Sequence, residues 1–217
     1  MKTKLLTIAM TAALMLTAMT KVQAQNFDGP CLPPSHGLDD HQSAFCGVMQ
    51  TTALAEGANY VSFYVDITLD DLKAALVEAS PSSTIKIIGQ NNSTTYDPAR
   101  HRWNGTLQWN VAQMYIIRVT NDCEISLEGM LLDPAEHSVD IVSGANYIAF
   151  PLAEGMSLTN AFAGFAVNGD KVLSQTSSAT YNRGRWQGQG LTNLEPGKGY
   201  IYISVDSKTL VFPSNAK

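Results

Sequence analysis

The sequence predicts an α+β fold dominated by β-strands: two tandem duplicated modules, each with about six short, mostly antiparallel strands and one helix. The first observation is that GANYVSFYV, beginning at residue 57, returns as GANYIAFPL at residue 144. The second is that T-Y, W-x-G and Y-I follow in both halves. The third is a composition that is only 15% charged and rich in Thr, Ser, Asn, Gly and Val. A fixed internal period indicates duplication, and this composition favours strands joined by tight turns.

Matched residues keep an almost constant separation along the chain. It is 87 residues at the start of the repeat, 83 to 85 in the middle and 85 at the end. It changes only at turns, because surface connections tolerate insertions better than paired strands do. The clearest pairs are Gly57 and Gly144, Tyr60 and Tyr147, Gln90 and Gln175, Tyr96 and Tyr181, Trp103 and Trp186, and Tyr115 and Tyr200.

Residues 1–24 have the pattern of a secretory signal peptide. Lys2 and Lys4 supply the charged start, an apolar run reaches Met19, and Val-Gln-Ala forms the cleavage site. No later run reaches the roughly 18 apolar residues of a transmembrane segment. We therefore expect an exported protein that is periplasmic, secreted or associated with the cell surface. The predicted divisions are the signal peptide (1–24), an N-terminal segment rich in Pro and Gly (25–46), repeat 1 (47–129), a linker (130–137) and repeat 2 (138–217).

Net charge narrows the classes of partner. Removal of the signal would take away three lysines and no acidic residue, so the formal net charge would change from -5 to -8. Nucleic-acid-binding proteins typically carry a basic patch, and this chain has no cluster of Lys and Arg. We expect neither nucleic acid nor an anionic membrane as the main partner.

Periodicity predicts the elements of repeat 1 in order. A strand over 48–54 comes first, and alternation over 60–65 predicts a second strand with one apolar face. A helix follows from Thr68, a favourable N-cap, to Ala79, just before a proline. Two aspartates in its first turn suit the helix dipole. The remaining predicted strands are 85–90, 94–96, 103–107, 114–119 and 124–127.

Repeat 2 predicts the same order. A strand over 139–142 precedes the second GANY strand, which ends at Pro151 because proline cannot donate to a strand ladder. A helix begins at the N-cap Ser157 and ends between Gly164 and Gly169. The later predicted strands are 170–175, 179–181, 186–191, 199–205 and 209–212.

The segments MYIIRVTNDCEISLEG, GANYIAFPLAEGMSLTNAFAGF and LTNLEPGKGYIYISVDSKTLVFP lie within residues 114–213. This stretch resembles a tandem repeat module of secreted surface proteins of Bacteroidota. Members commonly carry Trp near each opening, where this chain has Ala58, Tyr60, Ala145 and Tyr147. The resemblance implies a module that is usually appended to larger surface proteins and has no established activity.

Two cysteines and two histidines alternate near the N-terminus, at Cys31, His36, His41 and Cys46. Zinc accepts such ligands, but the even spacing matches no common zinc motif. Thiols of exported proteins tend to oxidise. A Cys31–Cys46 disulfide is therefore preferred over free thiols and over a metal site, and no metal is predicted. Cys123 has no partner left and is expected to be a buried, small apolar side chain.

The candidate binding residues are two tryptophans at matched positions, each preceded by arginine: Arg102–Trp103 and Arg185–Trp186. An exposed Trp beside polar groups can grip a sugar face or a protein partner. The alternative is that each Trp packs against the core of its repeat. Trp109 occurs in one copy only, which makes it the better candidate for an acquired contact.

No catalytic residues and no cofactor are predicted. Asp66, Asp70, Asp71 and Glu78 crowd the start and face of one helix, whereas sugar hydrolysis needs two acids that face one cleft. The nucleophile and metalloprotease motifs are missing from the sequence. We therefore expect an exported, non-catalytic binding or adhesion module that recognises a glycan or a cell-surface protein. The alternatives are a structural or accessory stalk without a small ligand, and a small hydrolase with its site between the repeats.

Overall fold

The structure is a computed structural model that describes residues 47–214. The predicted signal peptide, the N-terminal segment 25–46 and the proposed Cys31–Cys46 disulfide lie outside the described residues.

Repeat 1 forms a five-stranded antiparallel sheet in the order β2-β6-β3-β4-β5 and a separate β1-β7 pair. One helix, α1, lies between β2 and β3 along the chain and contacts β7. The elements are β1 (Val48–Leu54), β2 (Gly57–Val61), α1 (Leu69–Ala79), β3 (Ile85–Ile88), β4 (Ser93–Asp97), β5 (Arg102–Thr106), β6 (Tyr115–Val119) and β7 (Cys123–Gly129).

Repeat 2 has the same plan. Its five-stranded sheet has the order β9-β15-β11-β12-β13, and β8 pairs with β16. An additional two-stranded pair, β10-β14, lies directly before the second helix along the chain, because β10 ends at the residue that caps it. The elements are β8 (Val139–Ile141), β9 (Gly144–Ile148), β10 (Met156–Ser157), α2 (Leu158–Ala161), β11 (Lys171–Leu173), β12 (Ser178–Asn182), β13 (Arg185–Gln189), β14 (Asn193–Leu194), β15 (Tyr200–Ser204) and β16 (Lys208–Leu210).

The two sheets match strand for strand: β2, β6, β3, β4 and β5 correspond to β9, β15, β11, β12 and β13. Every strand pair in both sheets is antiparallel. This confirms the predicted β-dominated α+β fold with duplicated modules. Each repeat also has its own buried core, in which the large side chains of its sheet face its helix and its two-stranded pair.

The repeated GANY motif builds a turn. Its glycines both have positive φ, +98° and +102°, a conformation that glycine adopts without strain. The Asn59 Oδ1 accepts a hydrogen bond from Ala55 N–H at 3.0 Å, and its Nδ2 donates to the Ala55 carbonyl at 2.8 Å. Asn146 makes the same two bonds with Val142, at 2.9 and 2.8 Å. The asparagine therefore replaces missing backbone partners at the start of each sheet.

The first helix agrees with the prediction. Thr68 is its N-cap and forms a capping box with Asp71. The second helix is shorter than predicted: Ser157 caps it, but it ends at Ala161. Phe162 then leaves helical geometry, with φ -115° and ψ 27°. Its ring packs against three aromatic rings of the repeat 2 core, at centroid distances of 5.1 to 5.9 Å, so aromatic packing ends the helix.

The repeats meet through the edge strands β2 and β9, and two matched glutamines tie them together. Gln90, which follows β3, accepts from Tyr147 N–H at 2.8 Å and donates to the carbonyl two residues earlier at 3.2 Å. Gln175, which follows β11, accepts from Tyr60 N–H at 3.1 Å and donates to the carbonyl two residues earlier at 2.7 Å. Each side-chain amide thus pairs with the junction edge of the other repeat's sheet.

Further bonds close the junction with the same approximate twofold symmetry. Ser62 N–H donates to the Gly197 carbonyl, and Ala149 N–H donates to the Ala112 carbonyl, both at 3.1 Å. Close approach also fixes the residue type at position 199, because a Cβ there would lie 2.6 Å from the Cβ of Met114. The linker starts along repeat 1, where Leu131 bridges Val65.

Candidate functional site

The two Arg-Trp pairs lie on matched strands, β5 and β13. Trp103 faces Tyr96 across the β4-β5 pair with ring centroids 5.3 Å apart, and Trp186 faces Tyr181 at 5.2 Å. Both indoles are half-buried and pack against the core of their own repeat. The adjacent arginines are exposed. Core packing is therefore part of what these tryptophans do, and their role in binding stays a prediction.

The two pairs do not share one site. The strands β5 and β13 form the outer edges of the two sheets, whereas β2 and β9 form the edges that meet at the junction. Strands lie about 4.8 Å apart, so four spacings place each Trp strand roughly 19 Å from the junction edge of its own sheet. The structure thus presents two equivalent aromatic hairpins, each at the sheet edge that lies farthest in strand order from the junction strand of its own repeat.

Trp109 packs against the core of repeat 1. Its ring stacks on Tyr115 at a centroid distance of 4.6 Å and an angle of 11°, and it lies 5.6 Å from Phe63. Its indole Nε1 donates to the Ile67 carbonyl at 3.0 Å. Trp186 differs, because its Nε1 is buried without a hydrogen-bond partner in the described part of the chain. These contacts give Trp109 a structural role, and an acquired binding contact at Trp109 stays a prediction.

Two matched tyrosines position the turns that border the junction. Tyr115 OH accepts from Asn110 N–H at 2.7 Å, and Tyr200 OH accepts from Glu195 N–H at 2.7 Å. Burial raises the pKa of both hydroxyls. The Y-I motif is therefore repeated because its hydroxyl anchors a turn five residues upstream.

A cleft of about 290 Å³ opens at the junction of the repeats. Repeat 1 contributes Tyr60, and repeat 2 contributes residues from 174–177 and 190–200. Most of the lining side chains carry hydroxyl or amide groups. Sequence reasoning missed this site, because its two sides come from segments more than a hundred residues apart.

The turn from Glu195 to Lys198 gives the cleft its only charged side chains. Lys198 N–H donates to the Glu195 carbonyl at 3.3 Å, which closes the turn. Among the described residues, neither charged group takes part in an ion pair. The matched turn of repeat 1 has neutral side chains at these positions, Asn110 and Gln113, with the corresponding bond at 3.0 Å.

Two of the acidic residues near α1, Asp70 and Asp71, interact within the helix itself. Asp71 bonds to Thr68, and this hydrogen bonding lowers the pKa of its carboxyl group. Asp70 lies 3.5 Å from Lys73 on the same surface. Within residues 47–214, no group of three or more His, Cys, Asp or Glu side chains could hold a metal ion.

Cys123, at the start of β7, is a free, half-buried thiol that packs against the repeat 1 core. Burial, with a smaller effect of Asp122, raises the pKa of this thiol. The protonated, poorly nucleophilic form is therefore favoured.

Repeat 2 also contains a buried ion pair that sequence reasoning missed. Asp170 is fully buried and lies 2.7 Å from Lys208 Nζ. It also accepts from Tyr202 OH at 2.6 Å and from the backbone of Val167 and Val205 at 3.0 and 2.9 Å. Burial alone would raise the pKa of Asp170, but these donors outweigh it and lower the pKa. The sequence signal that could have revealed this ion pair is a difference between the copies, since the residue of repeat 1 that matches Asp170 is an isoleucine.

Comparison of the chain with protein-family models, with curated proteins and with solved structures finds no significant match. Across the described residues, no helix is both long enough and apolar enough to cross a membrane.

Proposed function

We propose that this chain is an exported, non-catalytic binding module that recognises a glycan, with a cell-surface protein as the other class of partner. The observation that carries the proposal is the pair of Arg-Trp hairpins at the outer sheet edges. Each Trp is half-buried, so its ring is held rigidly, and each neighbouring Arg is exposed. A fixed ring beside a free hydrogen-bond donor contacts a sugar or a protein at low cost in entropy.

The arrangement favours a surface with repeated features. The matched hairpins lie on different repeats, each at the sheet edge opposite the junction strand, so the molecule offers two equivalent contacts to a polymeric surface. Two linked contacts raise the apparent affinity without any new interaction, provided that the surface presents sites at the matching distance. Export, predicted from residues 1–24, would bring the module to such surfaces.

The non-catalytic part of the proposal is supported by the cleft between the repeats. A glycosidase commonly needs two carboxyl groups on opposite sides of the scissile bond. Glu195 is the one carboxyl group among the residues that line this cleft, and no histidine lines it.

The test is a glycan array, together with binding to intact cells, using the mature chain and the double variant Arg102→Ala, Arg185→Ala. Both arginines are exposed, so the change leaves the Trp packing in place. The matched control is Arg118→Ala, Lys171→Ala, which removes the same charge from exposed positions on β6 and β11, away from both hairpins. We expect the first variant to lose at least tenfold in apparent affinity and the control to lose none. Equal binding by both variants would contradict a role for the hairpins.

The structural or accessory stalk is the second candidate. The packing of both tryptophans against the cores favours it, as does the position of the Lys73 ammonium 5.8 Å from the Trp103 ring centre. A stalk would bind no glycan and no cell surface in these assays, yet would unfold cooperatively.

A further inference from the structure

The turn that lines the junction cleft carries charges that its fold does not require. Glu195 and Lys198 correspond to Asn110 and Gln113 of repeat 1. Both turns are closed by the same backbone bond, and in both a buried tyrosine hydroxyl accepts from the first residue. The neutral copy makes the same two bonds, and its Asn110 Oδ1 also accepts from Ala112 N–H at 2.9 Å, so the turn forms without either charge.

These charged groups are free to meet a ligand. Both side chains are exposed, and neither forms an ion pair with any described residue. Their charges cancel, so the cleft has no net charge and does not select strongly for an anion or a cation. A carboxylate that accepts and an ammonium that donates can together bind a ligand rich in hydroxyl groups.

The other residues that line the cleft also carry groups that can bind a sugar. Ser174, Thr176, Ser177 and Asn193 add hydroxyl and amide groups. Tyr60 adds a half-buried ring from the other repeat, and its backbone N–H is held by Gln175. An aromatic ring beside polar groups accommodates the apolar face of a sugar ring and its hydroxyl edge together.

We propose that the junction cleft binds one neutral sugar residue, with Glu195 accepting from its hydroxyl groups, Lys198 donating to them and Tyr60 contacting its ring. This inference rests on the proposed glycan-binding function, but it assigns a site apart from the Arg-Trp hairpins. A cleft of about 290 Å³ lies at the lower end of ligand-site volumes. It therefore suits one sugar ring at the end or side branch of a glycan. Contact with so small a ligand gives an affinity in the millimolar range.

The test is a titration of the ¹⁵N-labelled mature chain, followed by NMR. The probes are the methyl glycosides of glucose, galactose, mannose and N-acetylglucosamine, with glucuronate as the anionic comparison. We expect at least one neutral glycoside to give saturable shifts centred on residues 174–177 and 190–199 and on Tyr60. Glu195→Gln and Lys198→Gln should each weaken it at least tenfold. The matched controls Glu124→Gln and Lys86→Gln, both in repeat 1, should leave the affinity unchanged.

Three outcomes would overturn the assignment. One is a set of shifts centred on Trp103 and Trp186 with the cleft silent, which contradicts the cleft site while the proposed function stands. Another is tighter binding of glucuronate than of any neutral glycoside, which contradicts the neutral class of ligand. The last is binding of no glycoside here and of no glycan or cell surface in the array, which contradicts the site and the proposed function together.

Discussion

Repeats 1 and 2 share one sheet order but fill one part of the core in opposite ways. In repeat 1, three matched positions on β3, β6 and β7 carry apolar side chains, whereas in repeat 2 they carry a buried ion pair and a tyrosine. The positions are Ile85, Ile117 and Cys123 in repeat 1, and Asp170, Tyr202 and Lys208 in repeat 2. The strand register supports the match, since Ile85 pairs with Tyr96 and Asp170 bonds through its backbone to Tyr181.

The difference shows that this fold accepts either an apolar cluster or a buried ion pair with a tyrosine at these three positions. An apolar cluster is stable by burial, and a buried charge is tolerated when every partner is present. Asp170 has four donors, and the Lys208 ammonium also lies 4.4 Å from the centre of the Phe165 ring. Removal of one member should therefore cost much more than replacement of all three.

The largest expected effect is that of Asp170→Ala. It leaves the Lys208 charge and the Tyr202 hydroxyl without their buried acceptor, and the free energy of unfolding should fall by about 3 to 5 kcal/mol. The triple variant Asp170→Ile, Tyr202→Ile, Lys208→Cys, which carries the repeat 1 residues, should recover much of the loss. Urea denaturation measures both. A single variant within about 1 kcal/mol of wild type would show that the network contributes little.

The same comparison predicts how stability depends on pH. The folded pKa of Asp170 lies below its unfolded value of about 3.9. Its contribution is therefore complete above the unfolded pKa and is lost as pH falls through that value towards the folded pKa. Acid titration of unfolding should show a steeper loss for the wild type than for the triple variant. The lowered pKa values of Asp71 and Asp97 are common to the wild type and the triple variant, so their contributions cancel when the two acid profiles are compared. Parallel acid profiles would contradict this account of Asp170.

A smaller effect is expected at the two anchoring tyrosines, and it should be the larger at Tyr115, whose OH also donates to the Asn110 carbonyl at 3.1 Å. Tyr115→Phe and Tyr200→Phe each remove a hydroxyl that accepts from a turn N–H at 2.7 Å. Each change should reduce the free energy of unfolding by about 1 to 2 kcal/mol, because the N–H loses its partner. Thermal and urea unfolding of both variants measures this. A cost confined to one variant would show that the two turns are not equivalent.

The smallest effects are expected at the junction. Gln90→Ala and Gln175→Ala each remove two hydrogen bonds near the surface, and each should cost about 1 kcal/mol. Amide hydrogen exchange at Tyr60 and Tyr147 reports the same loss locally, and each variant should expose only the amide that its own glutamine covers. Faster exchange at both amides in each single variant would show that the junction opens as one unit.

The sequence predicted most of this fold, because hydrophobic alternation and turn residues are local signals. The first strand has the predicted bounds, and Thr68 and Ser157 cap the two helices. The length of α2 was wrong, because the end of that helix depends on where Phe162 packs in three dimensions. Gln90 and Gln175 were recognised as a matched pair, but their partners lie in the opposite repeat and leave no local pattern.

The candidate site was harder to predict for the same reason. The Arg-Trp pairs could be found by comparing the copies, yet their half-burial and their position at the sheet edges depend on strand order. The cleft joins Tyr60 to a turn 135 residues later, so neither side predicts the other. The informative signal was a difference between the two copies. Glu195 and Lys198 are charged, whereas the matched residues of repeat 1 are neutral.

We infer that residues shared by the two copies maintain the fold, whereas the residues that differ at the junction recognise a ligand. The most direct test is the double variant Glu195→Asn, Lys198→Gln, which has the repeat 1 residues at both positions, in glycoside titration and in urea unfolding. We expect loss of sugar binding with the free energy of unfolding within about 0.5 kcal/mol of wild type. Undiminished binding would contradict it, as would a loss of about 2 kcal/mol or more in stability, since the charges would then serve the fold.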